Sequence, residues 1–393
     1  MMHETTIIDR IIKQETGALT GLAGALHRNP ELGGREHYAA AILSDYLESK
    51  GFAVTRGAAG LETAFIARSG RGEGGFHVAF CAEYDALPEI GHGCGHNLIG
   101  TAAVAAGVAL AGSLAELAIT GTVSVIGTPN EEIEGGKVDL IRAGIFDGVD
   151  TAMMFHPGCG NKIDVTSLAC RDFHFIFHGR NAHAACDPWE GRNALDGVIM
   201  TFTGINALRQ HLKDDVRVHG IITEGGLAGN IIPDRAVAQI CVRSKDNRYL
   251  AEVVERVKNC ARGAALASGT ELEILESPYP YDAMVSNRLL GEVFRESLAE
   301  SGPIIDSPHN EGMGSIDMGN VSRVVPAIHP VLAVTDRLVS GHTAEFAGIC
   351  GSEPAYAVAL AAGQAMALTG LKVIRDPALQ ERIKAEFKAA AGS

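Results

Sequence analysis

The chain has 393 residues, 46% of them hydrophobic and 20% charged, a balance typical of soluble globular proteins and a length typical of two domains. Its formal net charge of −14 argues against nucleic acid and anionic membranes as partners, because both require a basic surface. The N-terminal residues lack the long apolar core of a secretory signal, and the eight cysteines include no CxxC pair. We therefore expect a cytoplasmic protein with reduced thiols.

Two apolar stretches, 101–118 and 354–371, are long enough to raise the question of a membrane span. Both owe their apolar character largely to Ala and Gly, and they include polar residues such as Glu116 and Gln364. Buried core helices are therefore the expected interpretation, and we expect no membrane partner.

The first part of the chain alternates helices with buried strands. Helices are predicted at 5–26, 35–50, 97–118 and about 135–145. Continuous apolar runs predict strands at Phe76–Cys81, Thr122–Gly127 and Asp150–Phe155. This alternation predicts an α/β domain whose mostly parallel sheet is covered by helices on both faces.

From residue 168 the predicted order changes to β-α-β-β-α-β, the ferredoxin-like arrangement. The strands are predicted at Leu168–His178, Val216–Thr223, Arg235–Arg243 and Glu271–Glu276, and the helices at Arg192–Lys213 and Asp246–Ser268. The first pattern then resumes, with helices at 286–300 and 352–369, a strand at 325–334 and a last helix after Asp376. We therefore predict an inserted α+β domain at 168–278 within a discontinuous domain of 1–167 and 279–393.

Two polar clusters contain potential metal ligands and acid–base groups. Cys94 and His96 lie in the Gly-rich segment GHGCGHN, shortly after AEYD, whose Asp85 could orient a ligand. Glu131 and Glu132 lie in TPNEE, directly after a predicted strand. Neighbouring side chains of an extended segment point to opposite sides, so one carboxylate can bind a metal while the other faces a substrate.

Two histidines complete the pattern, His156 in HPG and His342 in GHTAEF. Each cluster also has a simpler interpretation on its own, as a Gly-rich turn, a solvated acidic loop or a packed histidine. Together, however, the five donors Cys94, His96, Glu132, His156 and His342 all follow predicted strands, and ligands of open parallel sheets bind at the carboxyl ends of strands. The combination predicts a two-metal site that activates water, with Glu131 as the general base.

These motifs resemble the aminoacylase/carboxypeptidase metallopeptidases and, within them, the amidohydrolase branch with hippurate and indole-acetyl-amino-acid hydrolases. The resemblance covers nearly the whole chain and rests on HRNPEL, AEYDALPEIGHGCGHN, TPNEE, HPG, GRNAHAA, GGLAGNIIPDRA, SIDMGN and GHTAEF. The second and seventh of these motifs are most similar to aminobenzoyl-glutamate hydrolase subunits and β-alanyl-type dipeptidases. The resemblance implies hydrolysis of the amide bond of an N-acyl amino acid or dipeptide, in a catalytic domain with an inserted lid that dimerises.

The resemblance also implies roles for particular residues. Cys94 matches the ligand that bridges two divalent cations, which would be zinc, manganese or cobalt, and Glu131 matches the catalytic base. His183, in GRNAHAA of the lid, matches a residue that reaches the active site of the partner subunit in a homodimer and stabilises the oxyanion there. Asn230 and Arg243 match lid positions that hold the substrate.

Several alternatives remain open from the sequence. His329, in AIHP, and His92, beside Cys94, compete with the proposed ligands. Cys94 could instead be the nucleophile of a cysteine hydrolase, although that mechanism leaves the two glutamates and His156 unused. A dipeptidase or carboxypeptidase of the same family and a non-catalytic metal-binding relative are the other interpretations. The acyl group, the amino acid and the metal are not predicted.

Overall fold

The computed structural model describes residues 2–71, 74–302, 304–309 and 314–391. The chain forms two compact units, one of Met1–Thr166 with Met284–Ser393 and one of Ser167–Ala283. The second unit is thus an insertion between Thr166 and Met284, close to the insertion that the sequence predicts at 168–278.

The elements before the insertion belong to the first unit. They are α1 (Met2–Arg28), α2 (His37–Ser49), β1 (Ala53–Arg56), β2 (Phe65–Arg71), β3 (His77–Ala82), α3 (His96–Glu116), β4 (Gly121–Gly127), α4 (Gly136–Arg142), β5 (Thr151–Met153) and β6 (His156–Gly158). The insertion contains β7 (Ala169–His178), α5 (Ala194–Arg209), β8 (Arg217–Glu224), β9 (Arg235–Ser244), α6 (Asn247–Ser268) and β10 (Glu271–Glu276). The first unit then continues with α7 (Arg288–Ala299), α8 (Met318–Val321), β11 (Ala327–Ile328), β12 (Val331–Ala333), α9 (Ala344–Cys350), α10 (Glu353–Arg375) and α11 (Pro377–Ala391).

The first unit is built on a six-stranded sheet of order β1-β2-β4-β3-β5-β11. β3 pairs in parallel with β4 and β5, and β5 pairs in parallel with β11, whereas β1 and β2 form an antiparallel edge. Every residue of β3 is buried, as expected for a central parallel strand that is covered on both faces. The predicted α/β class with a mostly parallel sheet is confirmed, and β3, β4 and β5 end at one edge of the sheet.

One predicted strand is divided in the structure. The predicted strand at 325–334 forms β11 and β12, which pair with β5 in the large sheet and with β6 in a separate two-stranded sheet. Pro330 lies between them; it has no backbone N–H to donate, and its carbonyl accepts a hydrogen bond from the His156 backbone N–H at 2.8 Å. The chain therefore leaves one sheet and enters the next at this point.

The two membrane-length helices, α3 and α10, are core helices of the first unit. By length and composition each could cross a membrane, but 78% and 89% of their apolar windows are buried within the protein. Their small residues allow close packing: a Cβ placed on Gly363 would lie 2.9 Å from the Ala102 carbonyl oxygen. The Gly and Ala content that raised the question of a membrane therefore serves helix packing.

The insertion is a four-stranded antiparallel sheet of order β10-β7-β9-β8. Its two helices pack on one face, where Phe173, Phe175 and Phe177 of β7 form a buried cluster with Val253 and Val257 of α6. The predicted ferredoxin-like arrangement is confirmed. Because side chains alternate along a strand, Cys170, Asp172 and their neighbours in the register lie on the other face.

Candidate metal centre

The loop between β3 and α3 brings Cys94 and His96 to the carboxyl edge of the sheet. Gly95, between them, has a φ of +80°, and a Cβ at this position would lie 2.4 Å from the Pro157 side chain. Only glycine fits this backbone without strain or collision. Gly95 therefore allows α3 to begin at His96, with the Cys94 side chain close to the same point.

Asp85 connects His96 to the acidic loop. The His96 Nδ1–H donates to Asp85 Oδ1 at 2.8 Å, and the other carboxylate oxygen accepts the Glu132 backbone N–H at 2.9 Å. Burial raises the pKa of Asp85, but attraction to His96 and these hydrogen bonds lower it overall. His96 Nε2 is buried and lacks a hydrogen-bond partner among the described residues, and it lies 3.8 Å from Glu132 Oε1. Its orientation is that of an imidazole held for a metal by a carboxylate.

His156 is oriented by its own backbone. Its Nδ1–H donates to the Pro157 carbonyl at 2.7 Å, so the lone pair of the neutral ring is on Nε2, which lies 3.5 Å from Cys94 Sγ. Burial, and then repulsion from His96, lower the pKa of His156. The ring is therefore neutral, as a metal ligand must be.

His342 reaches the same centre from the C-terminal part of the first unit. It has a φ of +60°, a left-handed conformation that is uncommon for any residue except glycine, and its N–H donates to the Gly93 carbonyl at 2.8 Å. Its Nε2 lies 3.6 Å from Glu132 Oε1. Backbone strain of this kind persists where surrounding contacts impose it, and here it places an imidazole beside Glu132.

Two groups of donors share one atom. Cys94, His96 and His156 form one group and Cys94, Glu132 and His342 another, with the ligand atoms of each group within 4.8 Å of one another. Glu132 Oε1, like His96 Nε2, is buried without a hydrogen-bond partner among the described residues. Sulfur, imidazole and carboxylate donors suit zinc-like cations, and orphaned buried donors are costly unless something binds them. The residues therefore fit a metal centre.

Glu131 is next to these ligands in a half-buried position. Burial raises the pKa of Glu131 well above its usual value, and repulsion from Glu83, Asp317 and Glu132 adds to the effect. A carboxylate whose pKa is raised toward the working pH is suited to take a proton and return it.

A buried ion cluster beside the centre was not recognised in the sequence. The Lys137 ammonium donates to Glu83 Oε1 at 2.5 Å and to Asp317 Oδ1 at 2.6 Å, and all three residues are buried. Glu83 Oε2 lies 3.5 Å from His96 Nε2, so the cluster touches the metal centre. Its residues belong to three quoted segments, AEYD, the Gly-rich continuation of TPNEE, and SIDMGN, but no spacing rule joins them.

The rival histidines occupy other positions. The His329 ring is buried 5.5 Å from the His156 ring, and His92 Nε2 is 3.1 Å from the Leu26 carbonyl oxygen. Among the described residues neither belongs to a group of ligand atoms within 4.8 Å. Burial lowers the pKa of both, that of His92 to about 3, so each packs as a neutral ring.

The lid residues divide into two places within the insertion. His183 forms a bridge with Ile231, and the Asn230 carbonyl accepts the Ala184 N–H at 3.0 Å, so His183 and Asn230 are neighbours. Arg243 lies near the far end of β9, eight residues beyond Arg235, which corresponds to roughly 27 Å of strand. The insertion therefore brings His183 and Asn230 together and leaves Arg243 apart from them.

The fold and the centre agree with comparisons to known proteins. Residues 170–268 match the family described as the peptidase dimerisation domain of M20 peptidases. The chain is 38% identical to the Xaa-Arg dipeptidase of Mus musculus, over 96% of this chain and 90% of that protein. It is 35% identical to one of the two kinds of chain in the p-aminobenzoyl-glutamate hydrolase of Escherichia coli, over 75% of this chain and 65% of that one.

A solved structure supports the fold. A Bacillus subtilis protein described as a dinuclear metal-binding peptidase of the M20 family aligns with a TM-score of 0.65 and 20% identity, covering 92% of this chain and 99% of that one. The chain thus belongs to the M20 family of metal-dependent peptidases, and it is an amide-bond hydrolase of that family.

The Asp85 contact predicts the effect of a small substitution. We expect Asp85→Asn to weaken metal affinity by about 10- to 100-fold, because an amide no longer holds His96 with a charged oxygen. Metal titration of the metal-free protein measures the effect. Asp45→Asn is the control, since Asp45 pairs with Arg56 at an exposed position. Equal metal affinities for all three proteins would contradict the orienting role of Asp85.

Proposed function

We propose that the protein hydrolyses the amide bond of an N-acyl amino acid or a dipeptide at a centre of two divalent cations bridged by Cys94. The observation that carries the proposal is the pair of donor groups that share the Cys94 sulfur. In this assignment His96 and His156 complete one position, and Glu132 and His342 complete the other. The names of the relatives support substrates with a dipeptide or acyl-amino acid amide.

The residues around the centre have distinct tasks. When bound, divalent cations make a water molecule more acidic and polarise the amide carbonyl. Glu131 takes the proton of the attacking water on its carboxylate and delivers it to the leaving amine nitrogen. Asp85 keeps the His96 ring oriented during this exchange.

His183 is prepared to donate a hydrogen bond. Its Nδ1 accepts the N–H groups of Ala185 and Cys186, both at 3.2 Å, so the proton of the neutral ring is on Nε2. An exposed Nε2–H suits an oxyanion that forms on the substrate carbonyl. We propose that this ring acts in the active site of a partner subunit.

The separation within the insertion supports a homodimer. If His183, Asn230 and Arg243 all contact one small substrate, a single lid cannot supply them, because Arg243 lies far along β9 from the other two. Two lids can do so, one giving Arg243 and the other giving His183 and Asn230. The match to a peptidase dimerisation domain is consistent with this arrangement.

The cysteine-hydrolase alternative is disfavoured by the environment of Cys94. Burial raises the pKa of its thiol, whereas a cysteine nucleophile needs a lowered pKa. All eight cysteines are free in the structure, which supports the proposal of a reducing cytoplasmic location.

Metal removal tests the proposed function directly. Exhaustive dialysis against EDTA should abolish hydrolysis of a panel of N-acyl amino acids and dipeptides, and zinc, manganese or cobalt should restore it. Activity that survives complete metal removal would overturn the metal mechanism. Inactivity of the metal-loaded protein against the whole panel would favour a non-catalytic role.

Hybrid dimers test the role of His183 in the partner's site. We expect His183→Ala and Glu131→Gln to be inactive alone and to regain activity when they are mixed under subunit exchange, up to about a quarter of the wild-type value by random pairing. A mixture of His183→Ala with His174→Ala provides the control, since His174 is an exposed residue on β7 without a proposed role. If the first mixture recovers no activity although exchange is demonstrated, His183 does not act across the dimer.

A further inference from the structure

The open face of the lid sheet carries a second cluster of metal-binding side chains. Cys170 and Asp172 are on β7, and Cys241 is on the neighbouring strand β9. The two sulfurs are 3.1 Å apart, Cys170 Sγ is 3.5 Å from Asp172 Oδ2, and the three ligand atoms all lie within 4.8 Å of one another. Two thiols and a carboxylate in one place form a donor set for a soft cation.

A fourth donor and an open space adjoin the cluster. His219 on β8 is directly opposite Cys241 in the register of the sheet, so its ring lies on the same face. A cavity of about 250 Å³ opens beside them and is lined by Asp172, His219, Gly220, Ile221, Gln239, Cys241 and Arg243. The cavity has room for a cation and for a water molecule that completes its coordination.

The charges around the cluster also suit a divalent cation. Arg243 donates its Nε–H to Cys241 Sγ at 3.3 Å. A hydrogen bond from Cys170 lowers the pKa of Cys241 against the effect of burial, and the bond from Arg243 lowers it further. Two thiolates and one carboxylate carry three negative charges, which a divalent cation and Arg243 together balance.

The register of the sheet disfavours a disulfide between the two cysteines. Cys170 is opposite Arg243 and Cys241 is opposite Asp172, so the cysteines are diagonal neighbours. Diagonal positions are typically separated by about 7–8 Å between Cα atoms, beyond the usual span of a disulfide. A cation between two sulfurs bridges a longer gap, because each metal–sulfur bond is about 2.3 Å.

We infer that Cys170, Asp172, Cys241 and His219 bind a thiophilic divalent cation such as zinc on the lid, separately from the catalytic centre. The cation links β7, β9 and β8 across their open face. It takes no part in amide hydrolysis, so its binding is measured without reference to activity.

Cadmium binding to the full-length protein tests the inference, because cadmium prefers sulfur and its thiolate complexes absorb in the ultraviolet. We expect the wild type to bind one more cadmium ion per chain than Cys170→Ala/Cys241→Ala, with a correspondingly larger thiolate absorption. Cys260→Ala is the matched control, since Cys260 is on α6, packed against the helical face of the sheet. It should bind the wild-type amount, and equal cadmium content in wild type and double variant overturns the inference.

A second variant keeps the test decisive if the double variant folds poorly. His219 is exposed on the edge strand β8, so His219→Ala should leave the fold intact. We expect this variant to bind the lid cadmium at least about tenfold more weakly, a loss comparable to that caused by removing even an outer-shell partner of a metal. An unchanged cadmium affinity overturns the assignment of His219 as a ligand. Since every readout is metal binding at the lid, failure here leaves the proposed hydrolysis untouched.

Discussion

Replacing Glu131 with Gln is expected to lower kcat by about 10²- to 10⁴-fold, the range that a positioned general base contributes, while the cations stay bound. The amide has nearly the shape of the carboxylate but cannot accept the proton of the attacking water. Glu131 also lies within 4.8 Å of His96 and Glu132, so its position alone is compatible with both a base and a ligand. Turnover measured together with metal content separates the two roles.

Glu132→Gln is the matched control, one residue along the same loop. Glu132 Oε1 is buried, lacks a hydrogen-bond partner among the described residues and lies close to both His96 and His342. We expect this variant to lose metal on dialysis and to recover part of its activity with excess cation. If Glu131→Gln loses metal in the same way, Glu131 is a ligand; if it keeps nearly full activity, the proton acceptor is another group.

Much of the centre could be predicted because it depends on local sequence rules. Buried parallel strands produce continuous apolar runs, so their ends were visible at Ala82 and Gly127, and the metal-binding residue types follow those ends. The parallel sheet then brings the loops together, which is a general property of the fold rather than of this chain. Cys94, His96, Glu131 and Glu132 were predicted for this reason.

The choice between His342 and His329 depends on packing that no local pattern encodes. Both follow predicted strand residues, but Pro330 directs the chain from the large sheet into the small one, and His329 is buried at that crossing. His342 is positioned by a left-handed backbone and by one hydrogen bond to Gly93. Such contacts between distant segments are visible only in the folded chain.

Lys137 shows the opposite limit of sequence reasoning. A lysine after an acidic, Gly-rich loop is ordinarily solvated, since charged side chains are almost never fully buried unless they are paired. Here the partners are 54 and 180 residues away, Glu83 in AEYD and Asp317 in SIDMGN. Attraction to Asp317 and Glu83 outweighs burial and raises the pKa of Lys137, so the ammonium stays charged in the core.

Replacing Lys137 with Met should lower the free energy of unfolding by about 3–5 kcal/mol, because it leaves two buried carboxylates without their cation. Methionine fills nearly the same volume, so the loss reports on charge rather than on a cavity. The effect should grow between about pH 5 and pH 8. Burial already raises the pKa of Asp317, and without Lys137 the folded-state pKa rises further above the unfolded value. A group of this kind contributes stability at low pH that is lost as the pH rises.

Lys372→Met is the control for this prediction, because Lys372 pairs with Glu300 at 2.8 Å near the surface, with side chains 20% and 38% exposed. Removal of such a pair should cost at most about 1 kcal/mol and depend little on pH in this range. Denaturant unfolding of both variants at the two pH values measures the difference. Equal, small losses would mean that Glu83 and Asp317 accommodate each other as protonated acids, and that Lys137 is dispensable. A large, pH-dependent loss for Lys137→Met alone would show that a buried ammonium keeps the wall of the metal centre folded.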